Sequence, residues 1–108
     1  MHDPNSQECQ AIRRVLDVLG RSWAGPLLWA MLKGAERYGE IKAGAPGVSD
    51  AVLATRLREF TEHGLAERLV DPGPPVQVRY VLTDAGRDTR TLLGELQAYA
   101  ARHPEVLR

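Results

Sequence analysis

The sequence has little cysteine and no long hydrophobic run. Its 108 residues include a single cysteine, Cys9, which excludes an intramolecular disulfide and a cysteine-based metal cluster. A membrane-spanning helix needs about 20 consecutive apolar residues, and the first residues lack the basic-then-apolar pattern of a signal peptide. We therefore expect a cytoplasmic protein in a reducing compartment.

The chain also lacks an excess of either charge. It has 14 basic and 14 acidic residues and a formal net charge of zero. This balance counts against a protein that is held to nucleic acid by bulk charge alone, because such affinity comes from neutralising phosphates. A local basic surface remains compatible with it. Residues 33–58 carry five basic and three acidic side chains.

Recognisable catalytic chemistry is missing as well. The three histidines, His2, His63 and His103, lie far apart and without metal-ligand spacing. We find no Ser-His-acid or Cys-His arrangement and no glycine-rich nucleotide loop. The sequence therefore predicts neither an enzyme nor a bound metal or cofactor.

What the chain does contain is a series of short periodic segments. The hydrophobic fraction of 44% predicts one globular domain over residues 1–108. Ser49 and Thr83 are expected N-caps and Gly64 a left-handed helix end. Helices are expected at about 7–19, 24–33, 38–44 and 50–63, strands at 65–70 and 76–82, and a last helix from Thr83 to a break at Pro104.

This order predicts a mainly helical α+β fold, a winged helix-turn-helix. The helix-turn-helix would cover about 38–63, a two-stranded wing hairpin about 65–82, and a C-terminal dimerisation helix about 83–103. The second helix is apolar nearly all round and should be buried. A domain this small gains stability when a second copy covers an apolar helix, which favours a homodimer.

Several short motifs follow one another in a fixed order. They are Cys9 before an amphipathic helix, Gly20-Arg21-Ser22-Trp23, Leu32-Lys33-Gly34, Arg37-Tyr38-Gly39-Glu40-Ile41, Pro46-Gly47-Val48-Ser49, Arg56-Leu57-Arg58-Glu59 and the wing end from Val78 to Gly86. Together they resemble the HxlR-type regulators, a branch of the MarR-like winged-helix group of bacterial transcription factors. The resemblance covers nearly the whole chain. Two residues depart from the usual pattern of this family. Arg79 bears on the wing, and Tyr99 bears on the dimer contact.

The resemblance implies a DNA-binding regulator whose helix at 50–63 enters the major groove. On a helical wheel Ser49, Leu53, Leu57 and Phe60 face the core. On the other side, small alanines let the backbone sit deep in the groove, and polar side chains reach bases or phosphates. An ordinary solvated surface is the alternative. The predicted DNA-contacting residues are Arg37, Ser49, Asp50, Ala51, Ala54, Thr55, Arg56, Arg58 and Arg79.

Two of these predictions have open alternatives. Arg56 lies near the edge of the apolar stripe, so it contacts a phosphate or pairs internally with Glu59 or Glu62. Arg68 and Arg79 on the hairpin either contact DNA or are solvent-exposed side chains on neighbouring strands. The wing loop itself offers an acidic residue and no cation.

Cys9 is a candidate redox sensor, because some relatives of this kind use a cysteine near the N-terminus that forms a disulfide with a partner subunit. Such chemistry needs a stabilised thiolate and access to an oxidant. Arg13, four residues on, favours the thiolate and Glu8 opposes it. We favour the alternative, a small apolar residue packed in the dimer seam.

The remaining predictions concern partners. The dimer interface is expected at Leu92, Leu93, Leu96 and Tyr99, with the N-terminal helix beside them. Trp23, Trp29 and Tyr99 either line a pocket for a small-molecule effector or belong to the core.

The predicted function is a repressor that binds a pseudo-palindromic operator in double-stranded DNA as a homodimer and is released by an effector or by oxidation. The rival interpretation is a winged-helix protein–protein interaction module without specific DNA binding.

Overall fold

The computed structural model describes residue 3 and residues 6–107, so His2 lies outside the described residues. Within these described residues, five α-helices and one hairpin follow in the predicted order, which confirms the winged-helix fold. They are α1 (Gln7–Leu19), α2 (Ala24–Leu32), α3 (Tyr38–Ala43), α4 (Asp50–Glu62), β1 (Ala66–Asp71), β2 (Gln77–Leu82) and α5 (Asp84–Arg102), followed by a short 3-10 helix (Pro104–Leu107).

The predicted caps fix where the helices begin and end. The Ser49 hydroxyl accepts a hydrogen bond from the Val52 amide (3.2 Å), and Thr83 does the same for Gly86 (3.1 Å). Each bond satisfies an amide that has no partner within its helix. Gly64 ends the turn after α4 at φ +73°, as expected for a residue without a side chain.

The core forms around α2, which is buried as predicted. Six large side chains from α2, α3 and α4 are almost wholly removed from water: Leu27, Leu28, Ile41, Leu53, Leu57 and Phe60. Burying such a side chain contributes about 1.5–3 kcal/mol. The wheel prediction is wrong for Ser49, which is exposed, because a capping residue lies outside the first helical turn.

The hairpin pairs β1 with β2 in antiparallel register, from Ala66 opposite Leu82 to Asp71 opposite Gln77. Ala66 and Leu82 are buried at its base. There the Tyr80 amide donates to the Glu36 carbonyl oxygen at 2.7 Å. The wing is therefore anchored to the segment just before α3.

The terminal helices α1 and α5 contribute little to this core. Leu93 of α5 is only 6% exposed and lies over α2, where a Cβ on Gly25 would be 3.8 Å from it. Its assignment to the dimer interface is corrected, because α5 packs one side on its own chain. Apolar side chains on the other sides of α1 and α5 are exposed: Ile12, Val15, Leu16, Leu92, Leu96 and Tyr99.

The tryptophans belong to the chain's own packing. Trp23 and Trp29 are half-buried against the core, in line with the core alternative. Tyr99 is exposed, and its ring lies 4.9 Å from that of His103. None of the helices in the described part of the chain combines the length and hydrophobicity of a membrane span.

Candidate nucleic-acid interface

The turn between α3 and α4 is held by an ion pair and a tyrosine. Lys42 Nζ lies 2.8 Å from Asp50 Oδ1. The Tyr38 hydroxyl donates to the Asp50 carbonyl oxygen at 3.1 Å and lies 3.3 Å from its carboxylate. These contacts link the first helix of the helix-turn-helix to the start of the second.

Electrostatics at this turn agree with the geometry. The Lys42 ammonium holds the pKa of Asp50 below its usual value, and the Asp50 carboxylate raises the pKa of Lys42. Partial burial raises the pKa of Tyr38, and the Asp50 carboxylate raises it further. All three groups keep their ordinary charges at neutral pH, so the pair is electrically balanced.

The start of α3 is capped from within the helix. The Glu40 carboxylate accepts hydrogen bonds from the amides of Arg37 (3.0 Å) and Glu36 (3.3 Å). These two backbone donors lower the pKa of Glu40. The same two residues touch the wing, so this cap fixes α3 where the wing meets it.

The outward side of α4 presents small and polar groups. Ala51, Ala54 and Arg58 are exposed, and Thr55 is half-buried at the edge. Arg58 Nε lies 3.8 Å from Glu62 Oε1, and both side chains are largely in water. Such an ion pair contributes little stability, so Arg58 is free to exchange it for another anion.

Arg56 points the other way. It is only 7% exposed. Its Nε donates to the Ser22 carbonyl oxygen at 2.8 Å and its Nη1 to Glu59 Oε1 at 3.0 Å. Of the two alternatives for Arg56, the structure places it in the internal one with Glu59 as the partner, and we remove it from the DNA-contacting set.

Arg37 and Arg79 both make contacts near the loop end of the wing, where Asp71 pairs with Gln77. The Arg37 guanidinium donates to the Gln77 side chain. Arg79 lies 3.3 Å from the carboxylates of both Glu36 and Asp71, and the hydrogen bond that it donates to Glu36 raises its pKa. Arg79 is thus engaged within the chain, while Arg68 on β1 is exposed.

Sequence reasoning missed the roles of Lys42 and Tyr38. In the sequence, Lys42 contributes to the local positive charge and Tyr38 belongs to a motif, and neither pattern indicates a contact with Asp50. Their common partner Asp50 lies beyond a proline- and glycine-containing turn, so helical spacing could not pair them. One signal in the sequence could have indicated this pairing: Lys42 lies near the end of α3, and the next helix begins with the acidic residue Asp50.

Residues 18–107 match the family described as HxlR-like helix-turn-helix. The chain belongs to this family. As an HxlR-like protein it is a transcriptional regulator with a DNA-binding helix-turn-helix, related to the MarR group.

Its relatives include two HTH-type transcriptional regulators of Bacillus subtilis (strain 168). YvaP, an uncharacterized one, is 35% identical over 95 residues, which cover 88% of each chain. YodB is 34% identical over 92 residues, 85% of this chain and 82% of YodB.

Solved structures of several bacterial regulators have the same fold. Diamide-treated YodB from B. subtilis is 32% identical and has a TM-score of 0.76, covering 90% of this chain and 96% of YodB. The redox regulator HypR in its reduced form is 29% identical with a TM-score of 0.80, covering 90% of this chain and 96% of HypR. A MarR-family regulator from Enterococcus faecalis V583 is 25% identical with a TM-score of 0.80, covering 97% and 96%.

Proposed function

We propose that this HxlR-like regulator is a repressor that binds a pseudo-palindromic operator in double-stranded DNA as a homodimer. The observation that carries the proposal is the outward side of α4, where small residues flank Thr55 and Arg58. A recognition helix with this surface can lie deep in a major groove. Ser49 and Asp50 at its start and Arg37 beside it complete the proposed contact surface. On the wing, exposed Arg68 takes the place of the predicted Arg79, which is paired with Glu36 and Asp71. The domain limits follow: helix-turn-helix at 38–63, wing at 65–82 and dimerisation helix at 83–103.

The dimer is proposed from the outer apolar face, which we define as the exposed apolar side chains of α1 and α5 named above. Val15 and Leu92 line one groove between the two helices, so the apolar side chains of α1 and α5 adjoin there. A second copy would cover it, and two-fold symmetry would place the two α4 helices about 34–36 Å apart, one turn of DNA.

Occupying an operator would block polymerase, and a signal must then release the protein. Cys9 lies half-buried in the first turn of α1, next to the outer apolar face. Two similar structures are of regulators in oxidised or diamide-treated form. With one cysteine per chain, a disulfide would join the two subunits: two thiols lose two protons and two electrons, which diamide accepts. A small-molecule effector is the alternative signal. Such a regulator works where bacterial DNA lies, in the cytoplasm.

DNA binding is tested by gel retardation on duplexes selected in vitro. We expect Arg58→Ala to weaken binding about tenfold, the cost of one good base or phosphate contact. Arg102→Ala is the matched control, because Arg102 is an exposed arginine in the last turn of α5. Equal affinities for the two variants in a titration at fixed salt would remove Arg58 from the site.

Redox release is tested with Cys9→Ala. Diamide should release DNA from the wild-type protein and leave the variant bound. Release of the variant to the same extent would show that Cys9 is not the sensor and would favour the small-molecule effector.

The pairing of Lys42 and Arg79 with carboxylates favours the second candidate, a protein–protein interaction module, since little free positive charge remains for DNA. Salt-sensitive retardation of a selected duplex would contradict it. A stable protein complex without any retardation would support it over the repressor.

A further inference from the structure

The connection between α1 and α2, residues 20–23, is joined to the recognition helix by hydrogen bonds. The structure describes every residue of α1, and none of their side chains is buried. In contrast, Ser22 accepts two hydrogen bonds from the buried Arg56 guanidinium, at its carbonyl oxygen (2.8 Å) and at its hydroxyl (3.3 Å). We name residues 20–23 the junction.

A second pair of charges reinforces this contact. Glu59 of α4 receives Arg56 Nη1 at 3.0 Å on one carboxylate oxygen. Arg21 of the junction lies 3.6 Å from its other oxygen. Glu59 therefore bridges two arginines, one on each side of the interface, and ties the middle of α4 to the junction.

The junction also touches the turn that precedes α4. Trp23 has φ +69°, a left-handed conformation that is rare for a bulky residue. In this conformation its indole lies over Gly47, where a Cβ would be 3.4 Å from Trp23 Cη2. Strained backbone of this kind persists only where surrounding contacts hold it. Both the start and the middle of α4 are thus connected to the junction.

We propose that Arg56 is a positioning residue that couples the orientation of α1 to that of α4 through the junction. The helix that carries Cys9 and part of the outer apolar face would then transmit a change in its position to the surface that contacts DNA. This inference rests on the proposed function for the role of α4. Because Arg56 lies on the inward side of α4, the coupling acts without Arg56 touching DNA.

The test is hydrogen exchange of the full-length dimer with and without a saturating duplex selected in vitro. Coupling is reciprocal, so binding at α4 should slow exchange at the junction about fivefold, the lower end of ordinary coupling. Slowing there reports transmission, since the junction lies on the inward side of α4. Arg56→Met should still bind the duplex but lose this slowing, because Met retains an apolar stem and offers no donors.

Two further variants separate coupling from a general loss of packing. Arg56→Lys keeps the charge with fewer donors and should retain part of the slowing. Arg90→Met is the matched control, since Arg90 also donates to a distant backbone carbonyl, that of Leu32 at 2.8 Å, and it should retain all of it. Full slowing in Arg56→Met, or none in a wild-type protein that holds the duplex, would overturn the coupling and leave the proposed function intact. A wild-type protein that retards no duplex would contradict the proposed function, and the coupling would fall with it.

Discussion

Six large apolar side chains of α2, α3 and α4 are closed off from water, whereas most of those in α1 and along one side of α5 lie exposed. Leu57 is 1% exposed, while Ile12 and Leu96 are 62% and 56% exposed. The chain is the same and the residue types are similar, so the difference lies in whether the chain itself covers the apolar surface. One copy covers the core of the helix-turn-helix and leaves the outer apolar face exposed.

The largest effect on stability should come from a cavity in the buried core of α2, α3 and α4. Leu57→Ala removes a side chain that is surrounded by the core, and we expect a loss of about 2–5 kcal/mol in the free energy of unfolding, from lost burial and the cavity left behind. Denaturant unfolding measures it. The same change at exposed Leu92 should cost far less in a monomeric state. Equal losses at the two sites would mean that the two regions do not differ.

A substitution on the outer apolar face should change the oligomeric state more than the stability of the fold. Leu96→Asp puts a charge on the outer apolar face, and we expect monomers in sedimentation analysis together with an affinity for operator DNA that is about 100-fold lower, since linked half-sites no longer bind together. Val70→Asp is the control for the oligomeric state, because Val70 is an exposed apolar residue outside the outer apolar face. A dimeric Leu96→Asp protein would place the dimer contact elsewhere.

A smaller effect should appear on acidification, and it should come from two carboxylates of the helix-turn-helix. The folded pKa values of Glu40 and Asp50 lie below their usual values of 4.5 and 3.8. Their contribution to stability is therefore complete above those usual values and is lost as the pH falls through the lowered ones. Melting temperatures from pH 6 to pH 3 should fall less steeply for the double variant Glu40→Gln, Asp50→Asn than for the wild type. Parallel curves would show that these carboxylates do not support the fold.

Local patterns were sufficient to predict the elements. The Ser49 cap and the spacing of Leu53, Leu57 and Phe60 define α4, and alternation with an intervening proline-rich loop defines the hairpin. These signals depend on neighbours within one or two turns, which is why the order of elements is confirmed.

Contacts between distant segments could not be predicted in the same way. Leu93 shares a helical stripe with Leu96, yet α5 has two apolar sides and the sequence does not say which of them meets α2. Arg56 was ambiguous because its partner Ser22 lies 34 residues away. The contact between Arg37 and Gln77 spans 40 residues.

The ion pairs of Lys42 and Arg79 have a consequence for how the protein would move through a cell. A regulator rich in free cations is retained on DNA of any sequence and slides along it. With its charges balanced internally, this one would be held weakly by arbitrary DNA, and a large share of its copies would diffuse freely. It would then find an operator mainly by repeated collisions in three dimensions, at a rate set by its copy number.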